Sequence, residues 1–157
     1  MRKRLINDLS PTGPAATVVW LKLEDLAEVE ISSEDAAHPI EAALLPGAGS
    51  GWRAATPGTQ TIRLLFPQPQ RLRRIRLHFV EESGPRTQEY VLRWSADEGR
   101  SFREIVRQQW NFSPPGAICE SEEHQVELSG VGVLELVINP DIGNDGAFAS
   151  LAQLRLA

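Results

Sequence analysis

Residues able to perform catalysis are few in this chain and far apart. Its three histidines, His38, His78 and His124, form no HExxH or related metal-binding pattern. Ser50 lies in GAGSGW, but no strand runs directly into it and no long helix follows, so the context of a nucleophile elbow is missing. The single cysteine, Cys119, has acidic neighbours that disfavour a reactive thiolate. We therefore expect no enzyme activity.

A cluster of arginines is the most distinctive charge feature. In the stretch 71–82, RLRRIRLHFVEE, apolar and basic residues alternate, which predicts a strand with one buried and one solvent-facing side. The arginines then have two interpretations. We favour a solvent face whose charges pair with glutamates on neighbouring strands. The alternative is a basic face that binds a protein or nucleic acid, and it would comprise Arg74, Arg76, His78 and Arg93.

The bulk composition indicates one compact domain. With 157 residues and 41% hydrophobic content, the chain can bury one sizeable core, and we expect a tail at 1–14 followed by a domain at 15–157. The net charge of −5 argues against nucleic acid or an anionic membrane as partner. Neither a signal peptide nor an apolar run of about 18 residues is present, so a cytoplasmic location is expected. The sequence carries no signal for oligomeric state.

Short segments with period-two hydrophobicity alternate with turn residues along the chain. This pattern predicts an all-β protein of about eight or nine antiparallel strands. One short helix is expected within 38–47, because Pro39 suits a first turn and Pro46-Gly47 an end. The acidic run 120–124 and the segment 139–146 are expected to be solvated loops. The strands are expected at 17–23, 27–33, 59–66, 71–81, 89–95, 101–110, 124–130, 132–140 and 151–157.

Three stretches resemble the galactose-binding-like domains of the discoidin, or coagulation factor 5/8 type C, group. They are 28–79 with its Gly-Trp at 51–52, then EYVLRWSADEGRSFREI at 89–105, and ASLAQLRLA at 149–157. The resemblance implies a jelly-roll β-sandwich with a five-stranded and a three-stranded sheet. It also implies a non-catalytic module that binds ligands, most often carbohydrates, through loops at one end. The cysteine pair that usually joins the two ends of these domains is absent.

The resemblance directs attention to aromatic residues near loops, because an apolar ring can stack on a sugar while polar groups fix its orientation. Trp52 is expected in the core, and Trp20 and Trp94 are expected to be buried in strands. Trp110 is expected where a strand enters a proline-rich loop, which leaves it open to either core packing or ligand contact. The expected ligand-binding residues are Trp110, Asn111, Arg107, Gln109 and Arg53.

No cofactor is expected, although many domains of this group hold a structural calcium ion near the loop before the Gly-Trp. The oxygen ligands that calcium needs could come from Glu34, Asp35 and Glu41, but loop 46–51 has no carboxylate.

SSEDAAHPIEAALL at 32–45 and GWRAATPGTQTI at 51–62 also resemble the N-terminal domain of a single-strand-break repair scaffold. This similarity implies the alternative function, an intracellular protein-interaction or DNA-repair-type scaffold domain that uses the basic face.

Overall fold

The computed structural model describes residues 18–47 and 49–157, so the expected tail at 1–14 lies outside the described residues. Within them the chain forms eight strands and two helices of one turn each. In chain order the elements are α1 (Leu23–Leu26), β1 (Glu28–Ile31), α2 (Glu41–Leu44), β2 (Trp52–Arg53), β3 (Gln60–Val80), β4 (Arg86–Ser95), β5 (Arg103–Phe112), β6 (Cys119–Asn139), β7 (Ser150–Leu151) and β8 (Gln153–Leu156).

Two long, bent strands organise the sandwich. The first part of β3 and the second part of β6 belong to a five-stranded layer, in the order β1-β3-β6-β4-β5. The second part of β3 and the first part of β6 form a three-stranded layer with β8, where Ile75 lies between His124 and Leu156. Every pairing is antiparallel, and β2 and β7 form a separate two-stranded ribbon. The expected five-plus-three jelly roll is confirmed.

The bend between the layers follows from residues that weaken strand pairing. Regular register between β3 and β6 is interrupted between Leu65 and Arg74. Pro67 and Pro69 lie in this interval and cannot donate backbone hydrogen bonds to a ladder. On the opposite strand Gly130 has φ +71°, a conformation that glycine adopts without steric cost. Both strands can therefore turn from one layer to the other at the same level.

The core lies between the two layers and is built by alternate residues of β3, β4 and β6. Ile62 and Leu64 point into it from one layer, and Ile75 and Leu77 from the other, each at most 1% exposed. Phe79 and Tyr90 meet across the layers with ring centroids 5.3 Å apart. Each such fully buried large side chain contributes about 1.5–3 kcal/mol by leaving water. None of the helices among the described residues is long and apolar enough to span a membrane.

Some local expectations were wrong. The described part of the expected strand 17–23 contains no strand, and α1 begins at Leu23. Trp20 is consequently only partly buried, with the Arg76 guanidinium 4.6 Å from its ring centroid. The acidic run 120–124 is part of β6 rather than a loop, since Glu120 faces the interior while its neighbours alternate outward. The turns expected after Asn139 are present.

Candidate functional site

Five connections converge at one end of the sandwich, which we call the loop end. Because β3 folds back on itself, its first residue Gln60 and its last residue Val80 lie at the same end. β4 begins there at Arg86, opposite the last residue of β5, Phe112. The connections at the loop end are 32–40, 49–59, 81–85, 113–118 and 140–149, and the second of them contains the two-residue strand β2. This arrangement places residues distant in sequence around a common surface.

A cleft of about 490 Å³ opens at the loop end. One wall is apolar and is formed by Trp52, Val80 and Leu151 together with Ala152. The polar side chains of the lining are His38, Ser50, Arg53, Glu81, Glu82, Ser83 and Ser150. Such a mixture of an apolar wall with a few convergent polar groups is typical of small-molecule sites.

A buried ion pair anchors the base of the cleft. The side chains of Glu81 and Arg86 are 1% and 7% exposed, and Glu81 Oε2 contacts Arg86 Nη2. The other carboxylate oxygen, Glu81 Oε1, accepts hydrogen bonds from the Ser83 amide at 2.8 Å and from the Ser83 hydroxyl. Burial lowers the pKa of the Arg86 guanidinium, and the Glu81 carboxylate partly opposes this. Removing one partner of a buried pair leaves an uncompensated charge, so the pair holds loop 81–85 firmly.

Backbone hydrogen bonds place His38 and Arg53 side by side. The Asp35 amide donates to the Arg53 carbonyl at 2.9 Å, and the Arg53 amide donates to the His38 carbonyl at 3.2 Å. His38 Nδ1 lies 2.9 Å from Asp35 Oδ2, and this hydrogen bond lowers the pKa of the Asp35 carboxyl. Within the described residues Arg53 has no acidic partner within salt-bridge distance. Its guanidinium is therefore available to a ligand.

Trp52 and Gly51 fix the wall of the cleft. Trp52 is 1% exposed, which confirms its expected place in the core, and its Nε1 donates to the Ser33 carbonyl at 3.0 Å. Gly51 has φ +103°, and a Cβ at this position would lie 2.6 Å from the Leu151 carbonyl oxygen. Only glycine fits this approach to β7, so the ribbon of β2 and β7 depends on it.

An exposed aromatic ring, Phe148, lies at the same end of the molecule. It is 38% exposed, and its carbonyl oxygen accepts a hydrogen bond of 3.0 Å from Arg86 Nη1. It precedes Ser150 of the cleft lining by two residues. Sequence reasoning missed Phe148, Glu81 and Arg86. The sequence signal that could have identified Phe148 is an aromatic residue in the loop immediately before β7 and β8.

Of the expected ligand-binding residues, Arg53 alone lines the cleft. The other four lie on β5, within the strand rather than in a loop. Arg107 and Gln109 bond the two oxygens of the Glu89 carboxylate at 2.8 and 2.9 Å. Asn111 Oδ1 accepts from the Thr87 hydroxyl at 2.7 Å.

By strand alternation Trp110 faces the opposite side from these residues. It is 36% exposed and shares a shallow depression with Gln109, Asn111 and Ala117. A sugar site at Trp110 stays a prediction.

The expected basic face is divided between the two layers. Arg74 Nε and Arg76 Nη2 lie 3.2 and 3.4 Å from the Glu123 carboxylate, on the three-stranded layer. His78 Nδ1 lies 2.7 Å from Ser121 Oγ on the same layer. Arg93 instead belongs to the five-stranded layer, where its Nε donates to Glu135 Oε1 at 2.8 Å.

The three calcium candidates are not arranged as a set of ligands. Glu34 Oε1 accepts a hydrogen bond of 2.6 Å from the Ile40 amide, at the start of α2, and Asp35 is engaged by His38. Glu41 belongs to α2 itself. Among residues 18–47 and 49–157, no group of three or more His, Cys, Asp or Glu side chains could hold a metal ion.

Comparison with known proteins gives structural but no sequence matches. No family model matches the chain, and no curated protein matches it. A pectin binding carbohydrate binding module superposes with a TM-score of 0.59 at 14% identity, covering 83% of this chain and 89% of that one. The family 32 carbohydrate-binding module of NanJ from Clostridium perfringens, solved with galactose, gives a TM-score of 0.61 at 14% identity, covering 87% and 96%.

A similar domain also occurs within an enzyme. The chain covers only 25% of a Ruminococcus gnavus GH29 fucosidase, with 84% of its own length, a TM-score of 0.63 and 9% identity. These likenesses show that the chain has the same jelly-roll β-sandwich fold as these carbohydrate-binding modules, which is the fold that the sequence resemblance implied.

Proposed function

We propose that this chain is a non-catalytic carbohydrate-binding module whose ligand occupies the cleft at the loop end. The observation that carries the proposal is the convergence of His38, Arg53 and Ser150 in one cleft, at the end of the sandwich where Phe148 is also exposed. The shared fold supports a saccharide as the ligand class, because similar structures include a module solved with galactose and a pectin binding module.

The cleft offers both kinds of contact that a pyranose needs. The guanidinium of Arg53 and the hydroxyl of Ser150 donate to sugar oxygens, and the Glu82 carboxylate accepts from sugar hydroxyls. The ring of Phe148 provides an apolar surface for the C–H face of the sugar. The buried Glu81–Arg86 pair and the bonds around Arg53 hold these groups in place before the ligand arrives, which reduces the entropic cost of binding.

The same geometry supports binding without catalysis. Hydrolysis of a glycosidic bond ordinarily requires two carboxyl groups on opposite sides of the scissile bond. Of the two glutamates in the cleft, Glu81 is committed to Arg86 and to Ser83. Glu82 is then the single carboxylate of the lining that is available to a ligand.

A thermal-shift screen tests the proposal. The wild-type protein is heated with galactose, N-acetylgalactosamine, galacturonic acid and short oligosaccharides. A ligand at 100 times its Kd stabilises the folded state by roughly 2.7 kcal/mol, which gives a rise in Tm of several degrees.

Variants then locate the site. Phe148→Ala and Arg53→Gln should abolish the rise, whereas Arg100→Gln, an exposed arginine far from the cleft in the turn between β4 and β5, should retain it. Trp110→Ala distinguishes binding in the cleft from binding in the depression beside Trp110 on β5. Loss of the shift in this variant alone, with Phe148→Ala unaffected, would contradict the cleft as the site.

A further inference from the structure

The outer surface of the three-stranded layer carries more positive charge than its own acids neutralise. We call it the arginine face and define it by Arg71, Arg73, Arg74, Arg76 and Arg155. The positive charge of this face is only partly neutralised, because the single carboxylate of Glu123 pairs with both Arg74 and Arg76, at 3.2 and 3.4 Å. Arg71 reaches Glu127 at 3.4 Å. In the part of the chain that the structure describes, neither Arg73 nor Arg155 has an acid within salt-bridge distance.

A bulge in β3 brings two successive arginines to this surface. The register with β6 shifts between Leu72 and Arg74, and the amides of Arg73 and Arg74 both donate to the Ala157 carbonyl oxygen, at 2.7 and 2.8 Å. Leu72 is fully buried and Arg73 is exposed. The bulge therefore adds one more basic residue to the outer surface before the alternation of buried and outward-facing residues continues. A depression of about 370 Å³ lies beside the two arginines, bounded also by Gln125 and Glu127.

Two further features argue for a ligand on this face. Arg76 and Arg155 are direct cross-strand partners, and like charges in that position destabilise a sheet. Arg155 Nη1 donates to the Ala43 and Leu154 carbonyls, both at 2.9 Å, which holds the guanidinium in place without neutralising its charge. A bound anion would reduce the remaining repulsion. Arg76 also lies over the Trp20 ring, 4.6 Å from its centroid, which restricts the orientation of its guanidinium before any ligand binds.

We propose that the arginine face binds an acidic polysaccharide, with ligand carboxylates placed against Arg73 and Arg74. The fork of donors on arginine matches a carboxylate in bidentate geometry. The ion pairs to Glu123 and Glu127 are solvent-exposed and therefore weak, so ligand carboxylates can replace them. The inference rests on the proposed function in one respect, namely that the polymer is a polysaccharide, but it concerns a surface separate from the cleft.

The charge distribution favours a single flexible chain over duplex nucleic acid. The whole protein has a net charge of −5, and two glutamates lie within the face itself. A duplex presents about one charge per 1.7 Å of axis and is bound by a broad positive surface. The arginine face is instead a narrow strip, in which four of the five arginines lie on β3 and Arg155 lies on the neighbouring β8.

The test measures binding of the full chain to polygalacturonate in low salt, with fully methyl-esterified polygalacturonate and duplex DNA as comparison probes. The double variant Arg73→Gln/Arg74→Gln should weaken polygalacturonate binding by roughly tenfold, since two exposed arginine–carboxylate pairs are lost together. The control Arg100→Gln/Arg103→Gln removes the same charge from exposed positions near the turn after β4. The unfolding transition of each variant checks that the fold is intact.

Support for the proposal is binding of polygalacturonate that weakens with salt, fails for the esterified polymer, is lost in the double variant and persists in the control and in Phe148→Ala. Persistence in Phe148→Ala separates this face from the cleft. The proposal is overturned if the double variant binds like wild type, if the esterified polymer binds equally well, if polygalacturonate fails to bind, or if duplex DNA binds as tightly. Loss of galactose binding alone bears on the cleft and leaves this result unaffected.

Discussion

At the scale of single residues, buried carboxyl groups have different means of stabilisation. Glu135 is completely buried and lies between Arg63 and Arg93, with bonds of 2.7 and 2.8 Å to their Nε atoms. Glu120, which is 1% exposed, has no such basic partner among residues 18–47 and 49–157, and it receives a hydrogen bond of 3.3 Å from Gln88 Nε2. Burial, and after it the nearby Glu122 carboxylate, raises the pKa of Glu120 to about 7.

Glu120→Gln tests this account through the pH dependence of stability. The carboxyl ionises near 4.5 in the unfolded chain and near 7 in the folded one, so the folded state holds the proton between these values. Stability from Glu120 is therefore complete below about pH 4.5 and is lost as pH rises to 7. Between pH 5 and 8 the wild type should lose roughly 1–3 kcal/mol more than the variant.

The measurement is urea unfolding at both pH values, and the difference between wild type and variant separates the contribution of Glu120 from that of other titratable groups. His124 is one such group: burial lowers its pKa, and Tyr90 OH lies 2.7 Å from its Nε2. Glu127→Gln is the matched control, because that carboxyl is 73% exposed. Equal pH profiles for wild type and Glu120→Gln would show that Glu120 is ionised in the folded protein.

At the scale of elements, the β2–β7 ribbon joins the cleft wall to the core. It pairs Trp52 with Leu151 and Arg53 with Ser150, so one ladder positions both the apolar wall and two polar groups of the cleft lining. The backbone at Gly51 can pass this close to β7 because glycine has no side chain. A Cβ at this position would also lie 2.7 Å from the Ala152 Cα. Disturbing the ribbon should therefore affect stability and binding together.

Gly51→Ala provides that disturbance. The added methyl group clashes with backbone atoms that cannot rotate away, and φ +103° is itself unfavourable for alanine. We expect a loss of about 2–4 kcal/mol in the free energy of unfolding, measured by urea titration, together with weaker sugar binding. Gly84→Ala is the control, because a Cβ there meets no atom within 4 Å. Equal stability of the two variants would show that the ribbon is not held as tightly as its geometry indicates.

The elements also show what sequence alone could provide. Period-two alternation located most strands, since burial in a sandwich follows that period directly in residues such as Ile75 and Leu77. The same pattern predicts two separate strands in place of β3 and two in place of β6. The reason is that proline and glycine, which usually indicate loops, here produce bends within continuous strands. The acidic run at 120–124 was misjudged because charge indicated solvent, whereas pairing with β3 carries Glu120 into the interior.

The site was less predictable than the fold. The sequence proposes Arg53 as a ligand-binding residue, and the structure places it in the cleft lining, but the arrangement of Glu81, Arg86 and Phe148 at the same end depends on the jelly-roll connections. Local pattern contains no information about contacts between residues so far apart in the chain. For the same reason the sequence points to Trp110 and gives no indication of Phe148, although the two differ little in exposure, at 36% and 38%.

At the scale of the whole molecule, the sandwich separates two surfaces of different chemistry. The loop end offers a cleft with an apolar wall and a few polar groups. The outer side of the three-stranded layer offers an exposed strip of arginines. A cleft of this kind suits a single sugar unit and a strip suits a chain, so the two proposals concern separate surfaces and are tested by different variants.

The measurement that tests the central claim most directly is a crystal structure of the protein with the saccharide that gives the largest rise in Tm. The account predicts a sugar ring packed on Phe148, with its oxygens bonded to Arg53, His38 or Ser150. A sugar bound on Trp110 and Asn111, with none in the cleft, would contradict it.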